Sequence, residues 1–157
     1  MQFAHCDHNE QFLSLHDCIA EQAYLTEGKL GFTLAEGFWI SPDHPESDLD
    51  RLVRTDFAKV EYALTDGQEY DVTAYVFKRS FSGEISGKEW PLGELIDAIN
   101  AGAHKLEFLY QYLDFNSRIV ECELISAQEP YRQTCILKIS APEVRYYWNN
   151  LRADRPW

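Results

Sequence analysis

An α+β fold dominated by antiparallel sheet, with one principal helix, is what the sequence predicts, and three observations carry the prediction. Short apolar stretches alternate with polar residues at the strand period over much of the chain. Glu27-Gly28 and Asp66-Gly67 separate pairs of such stretches and supply the positive φ that tight hairpin turns need. One segment alone, with Leu92, Leu95, Ile96 and Ile99 at i, i+3, i+4 and i+7, has the helical period. Seven to eight strands are expected, arranged first as a long twisted antiparallel sheet with the helix across one face. A β-sandwich or partly open barrel is the alternative.

Each element follows in turn. The stretch to Leu15 has no clear period, whereas 19–25 and 29–34 read as paired strands joined at Glu27-Gly28. Phe38-Trp39-Ile40 continues the apolar run past Gly37, as across a bulge. From Ser41 to Asp56, prolines and acids mark a loop, in which Ser47 three residues before Asp50 resembles a capping box and predicts one helical turn. Residues 59–64 and 70–81 flank Asp66-Gly67 and are expected to form a hairpin. Pro91 and Gly102 bracket a helix near residues 92–101, with Glu94 in its first turn at the positive end of the dipole.

Three further strands are expected at 105–113, 118–125 and 134–140. Leu106, Phe108, Tyr110 and Tyr112 line one face of the first; Val120, Cys122 and Leu124 line the second; Cys135, Leu137 and Ile139 line the third. A two-residue loop at Phe115-Asn116 would set Tyr110 against Glu121, opposing an apolar face to a charged one. An odd loop or a bulge is therefore expected, keeping Phe108 and Tyr110 with Val120, Cys122 and Leu124. The tail from Pro142 suits either a strand or a short helix. No repeat or linker divides the sequence, so residues 1–157 read as a single domain, about the usual size for one.

Charge narrows the function classes. Fourteen Lys and Arg against 26 Asp and Glu give a net charge of -12, which repels phosphate backbones and disfavours nucleic acid. Such a surface suits a basic partner, a cation, or plain solubility. No apolar run approaches the roughly 20 residues that span a bilayer, and the N-terminus lacks the cationic flank and apolar segment of a secretory signal. Cys6, Cys18, Cys122 and Cys135 are too scattered for a disulfide framework. A cytoplasmic location with reduced thiols is the expectation.

The chemistry-bearing groups are few. His16-Asp17-Cys18 suggests a nucleophile with its base, but neighbours on an extended chain point to opposite faces, so His16 and Cys18 share a face and Asp17 does not. Cys18 is expected to be a buried apolar residue, as are Cys122 and Cys135. His5-Cys6-Asp7-His8 holds zinc-type ligands without a recognisable spacing, so no metal and no cofactor is expected. Gly83 to Lys88 has three residues between its glycines rather than the phosphate loop's four. Glu121 and Glu123 read as a solvated sheet face. Tyr146-Tyr147-Trp148 is the most patch-like aromatic group, and at least one member should face outward.

Taken together, Leu15 to Ile19, Gly28 to Ile40 and Glu94 to Tyr112 resemble an uncharacterised family of small cytoplasmic bacterial proteins with a His-Asp-Cys/Ser-x-Ile strand start. That family is similar to immunity-type proteins of polymorphic toxin systems. The resemblance implies an α+β sheet protein without a known enzymatic site, and so with no catalytic residues to carry over. The resulting expectation is a non-enzymatic bacterial binding protein, immunity-like, engaging a basic protein partner. Its contacts would be Asp43, Glu46, Asp48 and Asp50 on the loop, together with Tyr146 and Trp148. The alternatives are a small enzyme or ligand binder using His16, Asp17 and Cys18, and a structural or oligomer-forming domain.

Overall fold

The computed structural model describes residues 2–80 and 82–156. In chain order the strands are β1 (His5–Asp7), β2 (Leu13–Ser14), β3 (Cys18–Ala20), β4 (Gln22–Thr26), β5 (Lys29–Leu34), β6 (Trp39–Ile40), β7 (Val53–Thr55), β8 (Ala58–Ala63) and β9 (Val72–Arg79). They continue with β10 (Ile85–Trp90), β11 (His104–Asp114), β12 (Ser117–Ser126), β13 (Arg132–Ser140), β14 (Glu143–Trp148) and β15 (Leu151–Pro156). Helix α1 (Leu92–Asn100) lies between β10 and β11. The α+β class, mainly antiparallel sheet with one α-helix, is as the sequence predicts. The described strands number fifteen and form three sheets, because several are only two or three residues long and leave no periodic signal.

One sheet runs β1-β14-β8-β5-β4, a second β10-β9-β13-β12-β11-β3, and a small third β15-β7-β6-β2. The first two meet face to face in one hydrophobic cluster. Phe32 of β5 touches Phe108 of β11 edge-on at 5.3 Å, and the Tyr62 hydroxyl of β8 reaches Gln111 of β11. Helix α1 packs its Leu92, Leu95 and Ile99 face against β4, β9 and β11 and ends at Gly102, whose φ is +72°. No described helix is long and apolar enough to cross a membrane.

The Glu27-Gly28 hairpin forms as predicted, with β4 antiparallel to β5. The Asp66-Gly67 signal does not make one: β8 pairs with β5 and β14, whereas β9 pairs with β10 and β13. Asp71 explains the difference. Its buried carboxylate accepts the Asp66 and Gln68 N–H groups at 2.9 and 3.1 Å, closing the loop and carrying the chain into the other sheet. Phe81, the last residue of the strand expected over 70–81, lies outside the described residues. The helical turn expected at Ser47 to Asp50 is absent, and that segment is irregular with bends at Leu49 and Asp50. Gly37, with φ +71°, lets the chain pass Thr55 and Asp56, where an added Cβ would sit 2.2 Å from Thr55 Oγ1.

The tail after Pro142 is strand, β14 then β15. Its alternation sends Tyr146 and Trp148 into the core and turns Tyr147 outward, where Lys59 lies 4.3 Å from its ring.

Candidate functional site

Two sites can be built from the residues first singled out, and the loop after β6 carries one of them. Asp43, Glu46, Asp48 and Asp50 are all exposed, with no Lys or Arg among residues 41–50. The loop is held from within by His44, which is only 2% exposed. His44 Nδ1 accepts the Glu46 N–H at 3.0 Å, so the ring proton resides on Nε2, which donates to Asp7 Oδ2 at 2.9 Å. The ring stands edge-on to Trp148 at 5.7 Å and to Phe12 at 6.0 Å. His5 Nδ1 approaches Glu46 Oε2 at 3.4 Å.

Asp7 completes the anchor. Burial opposes its ionisation, but the Asn9 and His8 backbone N–H groups and the His44 ring outweigh that and hold its carboxyl below the ordinary value. Trp148 is thus the floor on which the loop stands. It and Tyr146 are each 1% exposed, so neither can touch a partner, which corrects their assignment as contact residues. Strand alternation in β14 is the reason: with Arg145 and Tyr147 facing out, residues 146 and 148 face in.

His16 and Asp17 define the second site. A β-bulge at Leu109 breaks the β11–β12 register, so Phe108 opposes Cys122 while Tyr110 opposes Glu121. The bulge was expected, but its effect is the reverse of that expected. The loop at Phe115-Asn116 does have two residues, so Tyr110 and Tyr112 start on the exposed face, and the bulge brings only Phe108 and Leu106 to the core. The segment before β3 fills the irregularity. The Asp17 N–H donates to the Phe108 carbonyl at 2.8 Å, and His16 Nδ1 donates to the Leu109 carbonyl at 2.5 Å.

Since a carbonyl only accepts, the proton sits on His16 Nδ1, and Nε2 is turned to Asp17 Oδ2 at 3.5 Å. Asp17 has φ +56°, a left-handed conformation that Asp adopts more readily than most residues. That kink places His16 beside Asp17, where an extended chain would have put them on opposite faces. Cys18 is fully buried instead, its Sγ 3.5 Å from the His16 carbonyl. Burial, partly opposed by Arg54, pushes its thiol up to about 11, which removes it as a nucleophile near neutral pH.

A cavity of about 410 Å³ opens beside His16, with Glu10, Tyr110 and Gln111 as further polar or aromatic walls and Leu13 and Phe108 among the apolar ones. Behind it, Gln111 takes a hydrogen bond from Tyr62 at 2.8 Å and gives one to Glu10, whose other oxygen pairs with buried Arg118 at 3.0 Å. Burial pushes the Glu10 carboxyl up, with Arg118 and Gln111 opposing.

Sequence reasoning missed Asp7, Glu10, His44, Gln111 and Arg118. Arg118 could have been found, since it shares the apolar face of Val120 and Cys122. His44 carries a weaker sign, a titratable ring between two prolines. Asp7 stood out only within the zinc-type set of residues 5–8, not as an anchor for the loop, and Glu10, in the same unperiodic stretch, gave no sign.

Among the described residues, no three His, Cys, Asp or Glu side chains gather where a metal ion could bind. Comparison with family models, curated proteins and solved structures returned no match.

Proposed function

We propose that the chain is a non-enzymatic binding protein that engages a basic protein partner through the acidic loop of Asp43, Glu46, Asp48 and Asp50. The observation that supports this is the buried His44 anchor. Four carboxylates on a loop fixed by a core side chain keep one geometry, so recognition loses less conformational entropy than it would with a slack loop. The immunity-type resemblance supplies the first partner to try, a basic toxin-like protein encoded beside this one.

The test compares wild type with the quadruple variant Asp43→Asn, Glu46→Gln, Asp48→Asn, Asp50→Asn, both immobilised and exposed to native bacterial lysate. Basic proteins should be retained by the wild type alone and released by salt, because steering by exposed charge is screened beyond about 8 Å at physiological ionic strength. Once a partner is in hand, an association rate indifferent to salt and to the four substitutions refutes the loop assignment. The fold should survive, since exposed loop charges contribute little to stability.

A second reading is favoured by the cavity beside His16, whose tautomer is set by the bulge carbonyl of Leu109. In that reading His16 Nε2 and Gln111 receive a small polar ligand, and Cys18 has no chemical role. His16→Gln would abolish such binding, and a ligand bound equally well by that variant would dismiss the site.

A further inference from the structure

The strand ladders of the six-stranded sheet come apart at one place. Pairing of β9 with β13 stops at Val76 opposite Cys135. Beyond that point β9 continues with β10 as far as Arg79 opposite Ile85, while β13 continues with β12 as far as Arg132 opposite Ile125. The two pairs splay, and a cavity of about 310 Å³ occupies the wedge. Its walls are Val76, Lys78, Ser86, Lys88, Trp90 and Gln133.

The register explains why these side chains converge. Ser86 lies directly opposite Lys78, Lys88 opposite Val76, and Trp90 opposite Ala74, so all six project from the same face of β9–β10. Gln133 closes the wedge from β13. It is 9% exposed, and its Nε2 has no hydrogen-bond partner among the described residues. A buried amide N–H without an acceptor is costly, so a ligand that supplies an acceptor here gains by satisfying it.

Among the described residues, three of the six lysines of this acidic chain pair with carboxylates and three, Lys78, Lys88 and Lys138, do not. Lys29, Lys59 and Lys105 each sit within ion-pair distance of a carboxylate. Lys78 and Lys88 have no carboxylate partner among the described residues, although the chain has 26 acids against 14 Lys and Arg. Two unneutralised ammonium groups on adjacent strands form a local positive field at the mouth of a cavity. Trp90 is held in place at the other end, its indole N–H donating to Glu94 at 3.1 Å and its ring edge-on to His104 at 5.5 Å. A fixed indole face beside two cations suits a flat ring joined to an anionic group.

We propose that this wedge binds a small organic anion carrying an aromatic ring. Lys78 and Lys88 hold the anionic group, Ser86 and Gln133 donate hydrogen bonds to it, and Trp90 packs against the ring. Phosphate esters and carboxylates share this chemistry.

The experiment is a ¹H–¹⁵N NMR titration of the whole chain with phenyl phosphate, benzoate, inorganic phosphate and phenol. The Trp90 indole signal is assigned by its loss in Trp90→Phe. Phenyl phosphate or benzoate should shift the Trp90 indole and Gln133 amide signals saturably, and the tighter of the two names the anion. Inorganic phosphate and phenol, each carrying half of the chemistry, should bind more weakly. In Lys78→Gln/Lys88→Gln, affinity should fall by roughly tenfold or more. The melting temperature of this variant should hold, because both lysines are exposed and unpaired. The proposal is overturned by absence of saturable shifts up to about 10 mM of either aromatic anion, a concentration that already admits very weak binding. It is equally overturned by unchanged affinity in the double-lysine variant, or by inorganic phosphate binding as tightly as phenyl phosphate.

Discussion

Tyr24 donates its hydroxyl to Glu61 Oε1 at 2.7 Å across the face of Gly31, which lies between them in neighbouring strands β4, β5 and β8. A Cβ on Gly31 would stand 2.1 Å from Cζ of the Tyr24 ring, so the hydrogen bond exists only because residue 31 has no side chain. Gly31→Ala should force the ring off Glu61 and cost about 1–2 kcal/mol, the loss of one hydrogen bond to a charged acceptor plus strain. The measurement is a double-mutant cycle with Tyr24→Ala. Additive costs would show that Gly31 is not there for Tyr24.

How far the fold was legible in the sequence follows from particular residues. Strands β4, β5, β11, β12 and β13 were readable because apolar residues recur at every second position in them, and helix α1 because its apolar residues keep the 3.6 period. The wrong hairpin at Asp66-Gly67 arose because a local turn signal says nothing of where the next strand pairs. The carboxylate of Asp71, five residues on, decides that. Tyr110 was misplaced because the bulge responds to a segment some 90 residues earlier, His16 and Asp17, which no local pattern records. The acidic loop was visible in composition, whereas its anchor depends on the long-range meeting of His44, Asp7 and Trp148.

The same two networks predict behaviour in acid. The Asp7 and Glu61 carboxyls are both held below their ordinary values. For Asp7 burial is outweighed by backbone N–H donors and His44, and for Glu61 by Lys59, Tyr24 and Tyr147. A depressed carboxyl stabilises the fold above its unfolded value, near pH 4, and that contribution is lost as pH falls through the folded value. Wild type should therefore lose melting temperature steeply below about pH 4, and Asp7→Asn more shallowly. Parallel pH profiles for the two proteins would rule out the Asp7 contribution.

Thiol reactivity separates one cysteine from three. Cys6 is exposed, whereas Cys18, Cys122 and Cys135 are buried; burial pushes the Cys135 thiol up to about 12 and also raises Cys122. A disulfide reagent applied to the native protein at pH 8 should modify one thiol quickly, and the other three only on unfolding. Cys6→Ser should remove the fast phase entirely. A fast phase that persists in this variant would mean that the core opens at one of the buried thiols.

His44 should be worth more to the structure than a loop residue ordinarily is. Replacing it by Ala removes the hydrogen bond to Asp7, the acceptor for the Glu46 N–H and the ring packed on Trp148, so a cost of about 2–4 kcal/mol is expected. His44→Asn keeps a donor without the ring and should recover only part of that. In either variant, amide exchange should quicken through residues 43–50 before the sheets are affected, because the anchor serves the loop first. Uniform quickening over the whole protein would show His44 to be a general core residue with no special hold on the acidic surface.

The last prediction concerns the pair formed by buried Arg118 and partly exposed Glu10. Arg118 is 2% exposed, and its Nε and Nη1 have no hydrogen-bond partner among the described residues, so Glu10 is its one recorded ion-pair partner. Removing Glu10 as Ala leaves a buried guanidinium uncompensated and should cost about 3–5 kcal/mol. Removing both charges should cost far less, because neither desolvation penalty then remains: Glu10→Leu/Arg118→Met should lie within about 1 kcal/mol of wild type or above it. Chemical denaturation of the three proteins decides the matter. A double variant as unstable as Glu10→Ala would mean that the pair is needed for its hydrogen bonds to the Tyr62–Gln111 chain, and that the polar wall of the cavity beside His16 holds the two sheets in register.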